Sequence, residues 1–259
     1  MTEQAPAALD QPAGGPPFHE LEWTPDRVRR FWAWYALSDR TEDYFARQVG
    51  GEVLELARRR RVLVPPVLDY GSGPGYLIAH LLAAGLPCAA AEAEAGALEQ
   101  VRRVAHGSPL LRATYHLDGL PSGIPADEFG TVFLLETLEH LDPDQGRATL
   151  AEILRVLRPG GFVVVTTPHA ENLARARVAC PECGAVFHPV QHVRSFTAES
   201  LSAELRAAGF EVPLSQAVTF RPPSPLNGLR RLGAWVLGRT PPNLVALGRK
   251  PAEPDREHA

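Results

Sequence analysis

No stretch of this 259-residue chain approaches the roughly 20 consecutive apolar residues that a membrane-crossing helix needs, and the sequence therefore predicts a soluble protein. Cysteine is scarce. Three cysteines, an odd number, with no N-terminal apolar core of signal-peptide type, point to a reducing, cytoplasmic setting rather than a disulfide framework. Strong net charge is missing as well. With 26 Lys and Arg against 30 Asp and Glu, the formal charge of −4 supplies no global field that would recruit nucleic acid or an anionic membrane. What remains is an ordinary globular composition, 45% hydrophobic and 22% charged, in a chain long enough to bury a substantial core.

The chain is organised around Val67-Leu68-Asp69-Tyr70-Gly71-Ser72-Gly73-Pro74-Gly75-Tyr76. A short apolar run, a glycine-rich turn and a helical pattern in that order predict a strand feeding a ligand-binding loop at a helix N-terminus. A dinucleotide fingerprint G-x-G-x-x-G would place its last glycine where Tyr76 stands, which disfavours a nicotinamide cofactor. The motif present is D-x-G-x-G-x-G, with Glu92 roughly 20 residues beyond the glycines, where such folds grip a ribose.

This stretch resembles motif I of the class I S-adenosylmethionine (SAM)-dependent methyltransferases. The resemblance runs from about Val67 to Lys250. It implies a Rossmann-like, doubly wound α/β fold: a seven-stranded sheet, mostly parallel with one antiparallel strand. It also implies a cofactor site built from Asp69, Gly71, Ser72, Gly73, Gly75 and Tyr76, with Glu92 and Ala93 at the ribose, Asp118 and Gly119 at the adenine, and Glu136 nearby. A carboxylate suits two ribose hydroxyls because it offers two acceptor oxygens. The family tends to have an Asp after the Phe that precedes the fourth strand of its sheet; here Phe129 is followed by Gly130.

Ahead of the loop, residues 1–17 are rich in Pro, Ala, Gly and Gln and are expected to form a disordered tail. Residues 18–62 are expected to be helical: Thr24 can cap and Pro25 can start a helix carrying Val28, Phe31, Trp32 and Tyr35. That aromatic segment either packs on a sheet edge or forms an N-terminal helical lid over the cofactor and acceptor. A second helix is expected from Gly50 to Arg61, its terminal arginine run being a solvated face. Residues 63–250 form the expected cofactor-binding domain, with a Cys/His insertion at 170–195, and residues 251–259 a polar tail.

The second chemical anchor is Glu136-Thr137-Leu138-Glu139-His140, expected outside the carboxyl end of the strand 131–135, where open α/β sheets place their ligands. Two carboxylates and an imidazole this close can hold a hard divalent cation, or His140 can act as a general base beside Glu139. The cluster resembles that of the ubiquinone-biosynthesis O-methyltransferases and the small-RNA 2′-O-methyltransferases. In both it is associated with metal-assisted activation of a hydroxyl, and the RNA enzymes add a later histidine. Farther on, Cys180-Pro181-Glu182-Cys183-Gly184 followed by His188 and His192 has the spacing of a zinc knuckle. Cys180, Cys183, His188 and His192 are therefore expected zinc ligands, His192 also having a claim from the later-histidine pattern.

Between the last two expected strands, Leu226, Leu229, Leu232, Trp235 and Val236 alternate with Arg230, Arg231 and Arg239. Such a basic amphipathic helix closes a substrate cavity or touches a membrane surface. The expected function is SAM-dependent methylation, most naturally at oxygen, of a small-molecule or saccharide-type acceptor. The rivals are a non-catalytic SAM-fold or zinc-stabilised interaction protein, and a nucleotide-cofactor oxidoreductase.

Overall fold

The computed structural model describes residues 17–38, 40–220 and 241–252. The basic amphipathic segment and most of both tails lie outside the described residues. In chain order the elements are β1 (His19–Glu20), α1 (Pro25–Leu37), α2 (Phe45–Arg59), β2 (Val67–Tyr70), α3 (Tyr76–Ala83), β3 (Cys88–Glu92), α4 (Ala95–Ala105), β4 (Leu111–His116) and β5 (Phe129–Leu135). They continue with α5 (Pro143–Val156), β6 (Leu157–Pro168), α6 (Leu173–Ala176), β7 (Val178–Ala179), β8 (Ala185–Phe187), α7 (Ala198–Ala207), β9 (Glu211–Val218) and β10 (Asn243–Arg249).

The main sheet has seven strands in the order β4-β3-β2-β5-β6-β10-β9. Pairing is parallel from β4 to β6, and β10 runs antiparallel to both β6 and β9. The strand order reverses between β2 and β5, so the carboxyl ends of these strands open the crevice that doubly wound sheets use for ligands. Central strands are buried on both faces, and their side chains alternate between two apolar layers. Val67, Ala90, Phe133 and Val164 pack with Val53 and Ala57 of α2, Ile78 of α3 and Val101 of α4. Leu68, Val132, Leu134 and Val163 pack with Ile153 of α5 and Leu205 of α7 on the other face.

Local signals set the boundaries. Thr24 accepts from the Arg27 amide at the head of α1, Thr197 caps α7, and Asp142 forms a reciprocal capping box with Gln145 at the head of α5. The second helix begins five residues before the expected Gly50 start, at Phe45. The segment Arg158-Pro159-Gly160-Gly161, just past the end of α5, lies within the long strand β6. Glycine at 130 has a steric cause: a Cβ there would sit 2.4 Å from the Val64 carbonyl oxygen. The 62–64 segment is clamped across this position by Thr131, whose hydroxyl donates to the Val62 carbonyl and accepts from the Val64 amide. The aspartate of the resembled family has no room there.

A smaller three-stranded sheet, ordered β1-β8-β7, joins the N-terminal segment to the Cys/His insertion. His19 and Glu20 pair with Ala185 and Val186. This tie fixes where α1 enters and brings its aromatic face over the crevice.

Candidate active site

The glycine loop leaves β2 with three left-handed residues, Gly71, Gly73 and Gly75, at φ of 76°, 50° and 93°. The conformation favours glycine at all three, and at Gly71 the space demands it too: a Cβ would meet the Thr137 hydroxyl at 2.8 Å. The amides of Gly71 and Ser72 donate to the Ala91 carbonyl, which lashes the loop to β3. Glu92, at the end of β3, turns into the loop. Its Oε2 accepts from the Gly73 amide at 2.8 Å, and its Oε1 from the amides of Ala93 and Glu94 at 2.7 and 3.2 Å. Both lone-pair sites of Oε1 are thus taken by amides, and Oε2 keeps one for a ribose hydroxyl.

Asp69 lies beneath this loop, 3% exposed. Burial, with the charge of Glu92 added, pushes its carboxyl up to about 8. The amide of Leu117 donates to the Glu92 carbonyl, so Asp118 and Gly119 follow directly beside Glu92 at the crevice rim, both exposed. The structure thus brings Asp69, the glycine turn, Glu92, Ala93, Asp118 and Gly119 to the carboxyl ends of three adjacent parallel strands.

The N-terminal segment covers this crevice rather than only an edge. The Tyr44 ring lies over the loop, so that a Cβ on Gly73 would be 3.3 Å from it, and it packs against Tyr76 at the head of α3. Tyr35 packs edge-on to Tyr44, and Trp32 edge-on to His140 with ring centroids 4.8 Å apart. Trp32 also donates its indole N–H to the Gln191 side-chain oxygen at 2.9 Å, and the Gln191 amide donates to the His140 carbonyl. One buried glutamine therefore ties the lid helix to the second anchor. Its left-handed backbone, φ 60°, gave no sequence signal as a site residue.

The second anchor lies past the end of β5. Glu136 has a left-handed backbone, φ 45°, and its amide donates to the Thr166 carbonyl. Glu139 is 1% exposed, and neither of its carboxylate oxygens has a hydrogen-bond partner; Oε1 of Glu136 is likewise buried and unpartnered. Burial pushes Glu136 up to about 7, and burial followed by the charge of Glu136 pushes Glu139 well above the usual carboxylate range. Burial, with His192 nearby, pulls His140 down to about 3. A neutral imidazole is the form that binds a metal or accepts a proton.

His140 Nδ1 faces the Gln191 carbonyl at 3.4 Å and therefore carries the proton, leaving the lone pair of Nε2 toward Glu139 Oε1 at 4.0 Å. His192 completes the group: ligand atoms of Glu139, His140 and His192 lie within 4.8 Å of one another. Carboxylate and imidazole acceptors facing one another in a buried site are stabilised by a proton or a cation between them.

The four residues expected to form one zinc site are not gathered. His188 and His192 stack on each other and meet Glu171 instead, and no group of metal-ligating side chains among the described residues joins either cysteine to them. The reason is the β7–β8 hairpin: Cys180 and Cys183 occupy its turn, while the histidines follow its far end. The cysteine turn itself has knuckle geometry. The Gly184 amide donates to the Cys180 carbonyl, and the amides of Cys183 and Glu182 lower the Cys180 thiol below its ordinary value. It presents two thiols where a zinc knuckle pair presents four ligands.

A family model for a methyltransferase domain matches residues 31–214, most of the chain. The chain belongs to this methyltransferase family. It is a class I SAM-dependent methyltransferase by fold and motif alike. A demethylmenaquinone methyltransferase from Clavibacter sepedonicus is 28% identical over 194 residues, covering 66% of this chain and 77% of that protein. Among solved structures, the 1,6-didemethyltoxoflavin-N1-methyltransferase of Burkholderia thailandensis, with bound 1,6-didemethyltoxoflavin and S-adenosylhomocysteine, superposes with a TM-score of 0.57. It is 22% identical and covers 91% of this chain and 94% of that one. A SAM-dependent methyltransferase from Clostridium acetobutylicum gives a TM-score of 0.60 at 11% identity, covering 85% and 98%. The [4+2]-cyclase SpnF superposes as well, with a TM-score of 0.62, 18% identity and coverages of 92% and 100%. At these identities the structural likenesses show the fold alone, and what this methyltransferase acts on has to be argued from its site.

Proposed function

We propose that this methyltransferase transfers the methyl group of SAM to a hydroxyl of a small-molecule or saccharide-type acceptor, with a divalent cation at the second anchor. In this reading Asp69 faces the cofactor's ammonium, Glu92 takes the ribose hydroxyls, Asp118 takes the adenine amino group, and Gly71, Ser72, Gly73 and Gly75 let the cofactor approach the main chain. Tyr44, Tyr76 and the Trp32 face of α1 exclude water above the reacting atoms. The protein's contribution to methyl transfer is alignment of nucleophile, methyl carbon and sulfur, together with a route for the hydroxyl proton.

The observation that carries the cation is Glu139, a buried carboxylate with both oxygens unpartnered, beside two imidazoles. Glu139, His140 and His192 would hold the ion, with Glu136 alongside. A mixed oxygen and nitrogen donor set suits a borderline divalent ion. Such an ion supplies Lewis acidity that lowers the pKa of a bound hydroxyl. Of the two roles the sequence left open for His140, cation ligand and general base, this reading takes the ligand. The unpartnered carboxylate also favours oxygen over nitrogen as the methyl acceptor, because a neutral amine needs no such activation.

The test is methyl transfer from labelled SAM across a panel of phenolic, catecholic and sugar hydroxyls and of amines, with chelator-treated protein and with Mg2+, Mn2+ or Zn2+ restored. The reading expects transfer to hydroxyls that chelation abolishes, and Glu139→Gln protein that binds SAM normally but transfers slowly. Chelator-insensitive transfer to amines would overturn it.

A further inference from the structure

Behind His192 stand two side chains that the cofactor and acceptor readings do not use, the partly exposed Glu171 and the buried His188. Glu171 follows the end of β6, and His188 follows β8. The side chain of His188 is 4% exposed and that of His192 11% exposed. Their rings stack with centroids 4.6 Å apart and an interplanar angle of 14°.

The hydrogen bonds around this pair have a fixed direction. The main-chain amides of Val190 and His192 point at His188 Nδ1, at 3.4 and 3.2 Å. An amide only donates, so Nδ1 of His188 is an acceptor, and in the neutral ring the proton sits on Nε2. That nitrogen faces Glu171 Oε1 at 3.3 Å, a close polar contact whose alignment falls short of a hydrogen bond. The other oxygen, Oε2, lies 2.5 Å from His192 Nδ1. A carboxylate only accepts, so His192 Nδ1 carries a proton too.

We infer that Glu171 and His188 are positioning residues that fix the tautomer of His192, holding its proton on Nδ1 and presenting the lone pair of Nε2 toward Glu139 and His140. Two backbone amides set the His188 tautomer, His188 Nε2 lies against one oxygen of Glu171, and the other oxygen sets His192. The role is that of the outer carboxylate in carboxylate–histidine–metal arrangements, whose loss typically costs about 10- to 100-fold in metal affinity. The inference concerns His192 as it stands without a metal, and its use to the enzyme rests on the cation reading above.

The chain of donors makes a sharp prediction for an isosteric change. Glu171→Gln has one acceptor oxygen and one NH2 group to meet two ring N–H donors. His188 cannot change its tautomer while two amides point at Nδ1, so an NH2 group on its side would face another N–H, and the amide oxygen stays there. The NH2 group then faces His192 and donates to Nδ1, which moves the His192 proton to Nε2. Replacing His188 in addition, as Glu171→Gln/His188→Leu, frees the amide oxygen to turn to His192 and returns the proton to Nδ1.

The experiment is long-range 1H–15N correlation NMR of the histidine side chains in full-length, metal-free protein at about pH 8, above the ordinary imidazole range. A parallel titration with Co2+, read by visible absorption, follows the ion. The expected result is a His192 ring protonated on Nδ1 in the wild type, on Nε2 in Glu171→Gln, and on Nδ1 again in the double variant. Co2+ affinity should fall about 10- to 100-fold in Glu171→Gln and recover in the double variant. A wild-type His192 protonated on Nε2, or a Glu171→Gln protein with its His192 tautomer unchanged, overturns the inference. Tautomers as expected with no Co2+ binding by the wild type would leave the positioning chain standing and sink the cation reading instead.

Discussion

Asp69→Asn should make the cofactor-free protein more stable and the cofactor-bound protein less so. Asp69 is buried under the glycine loop, where desolvation and the Glu92 charge raise its carboxyl from the ordinary 3.8 to about 8. The folded state therefore holds a proton that the unfolded chain has released across that interval, and stability falls as pH rises from about 4 to about 8. At 1.36 kcal/mol per pKa unit, the cost at pH 7 is on the order of 4 kcal/mol. Asparagine carries no charge and escapes that cost. Its amide is still desolvated, so the expected gain at pH 7 is about 1–4 kcal/mol. Below pH 4 the difference should close, because the aspartate is protonated in both states. Urea unfolding of both proteins at pH 4, 6, 7 and 8 measures the slope. Saturating SAM should reverse the ranking, since its ammonium gives the wild-type carboxylate a counter-charge. Equal stability at pH 7 with parallel pH slopes would refute the reasoning.

Other consequences are as direct. Gly71→Ala forces a side chain into a left-handed backbone and against Thr137, which should cost about 1–3 kcal/mol and weaken SAM binding; thermal melts with and without SAM report both. Gly130→Asp, which restores the residue the resembled family has, should destabilise rather than repair the protein, because its Cβ meets the Val64 carbonyl; lower soluble yield and a depressed thermal midpoint are the expected readouts. Thr131→Val leaves the Val62 carbonyl and Val64 amide unpaired, for a loss of about 1–3 kcal/mol in urea unfolding with SAM affinity unchanged. Trp32→Phe orphans the Gln191 oxygen, and should raise KM for the acceptor and speed amide exchange in α1 while leaving SAM affinity within twofold.

Much of this was legible in the chain because it is written in local chemistry. The D-x-G-x-G-x-G turn, the cap at Thr24 and the strand that feeds the turn all declare themselves through neighbours in sequence. So does Glu92, which sits at a strand end whose place follows from the βαβ order. The metal grouping was half legible. Glu136, Glu139 and His140 are adjacent in sequence, but the partner of His188 and His192 is Glu171, which no spacing rule joins to them. The sequence spacing instead joined the histidines to Cys180 and Cys183, from which the β7–β8 hairpin separates them. Gln191 was illegible for a similar reason: its role depends on Trp32, 159 residues away, and on His140, 51 away. The lid was visible only as a choice, since the helical pattern of α1 does not say which surface its aromatic face meets. Pairing of β1 with β8 decides that.

The central claim is that the glycine turn, Glu92 and Asp118 form one adenosine-binding crevice. Calorimetric titration of SAM into the purified protein, with NAD as the control and Glu92→Ala as the variant, tests it most directly. The account predicts one SAM bound per chain, no heat from NAD, and at least tenfold weaker SAM binding by Glu92→Ala, about 1.4 kcal/mol. No heat from SAM, or a SAM affinity indifferent to Glu92, would contradict it.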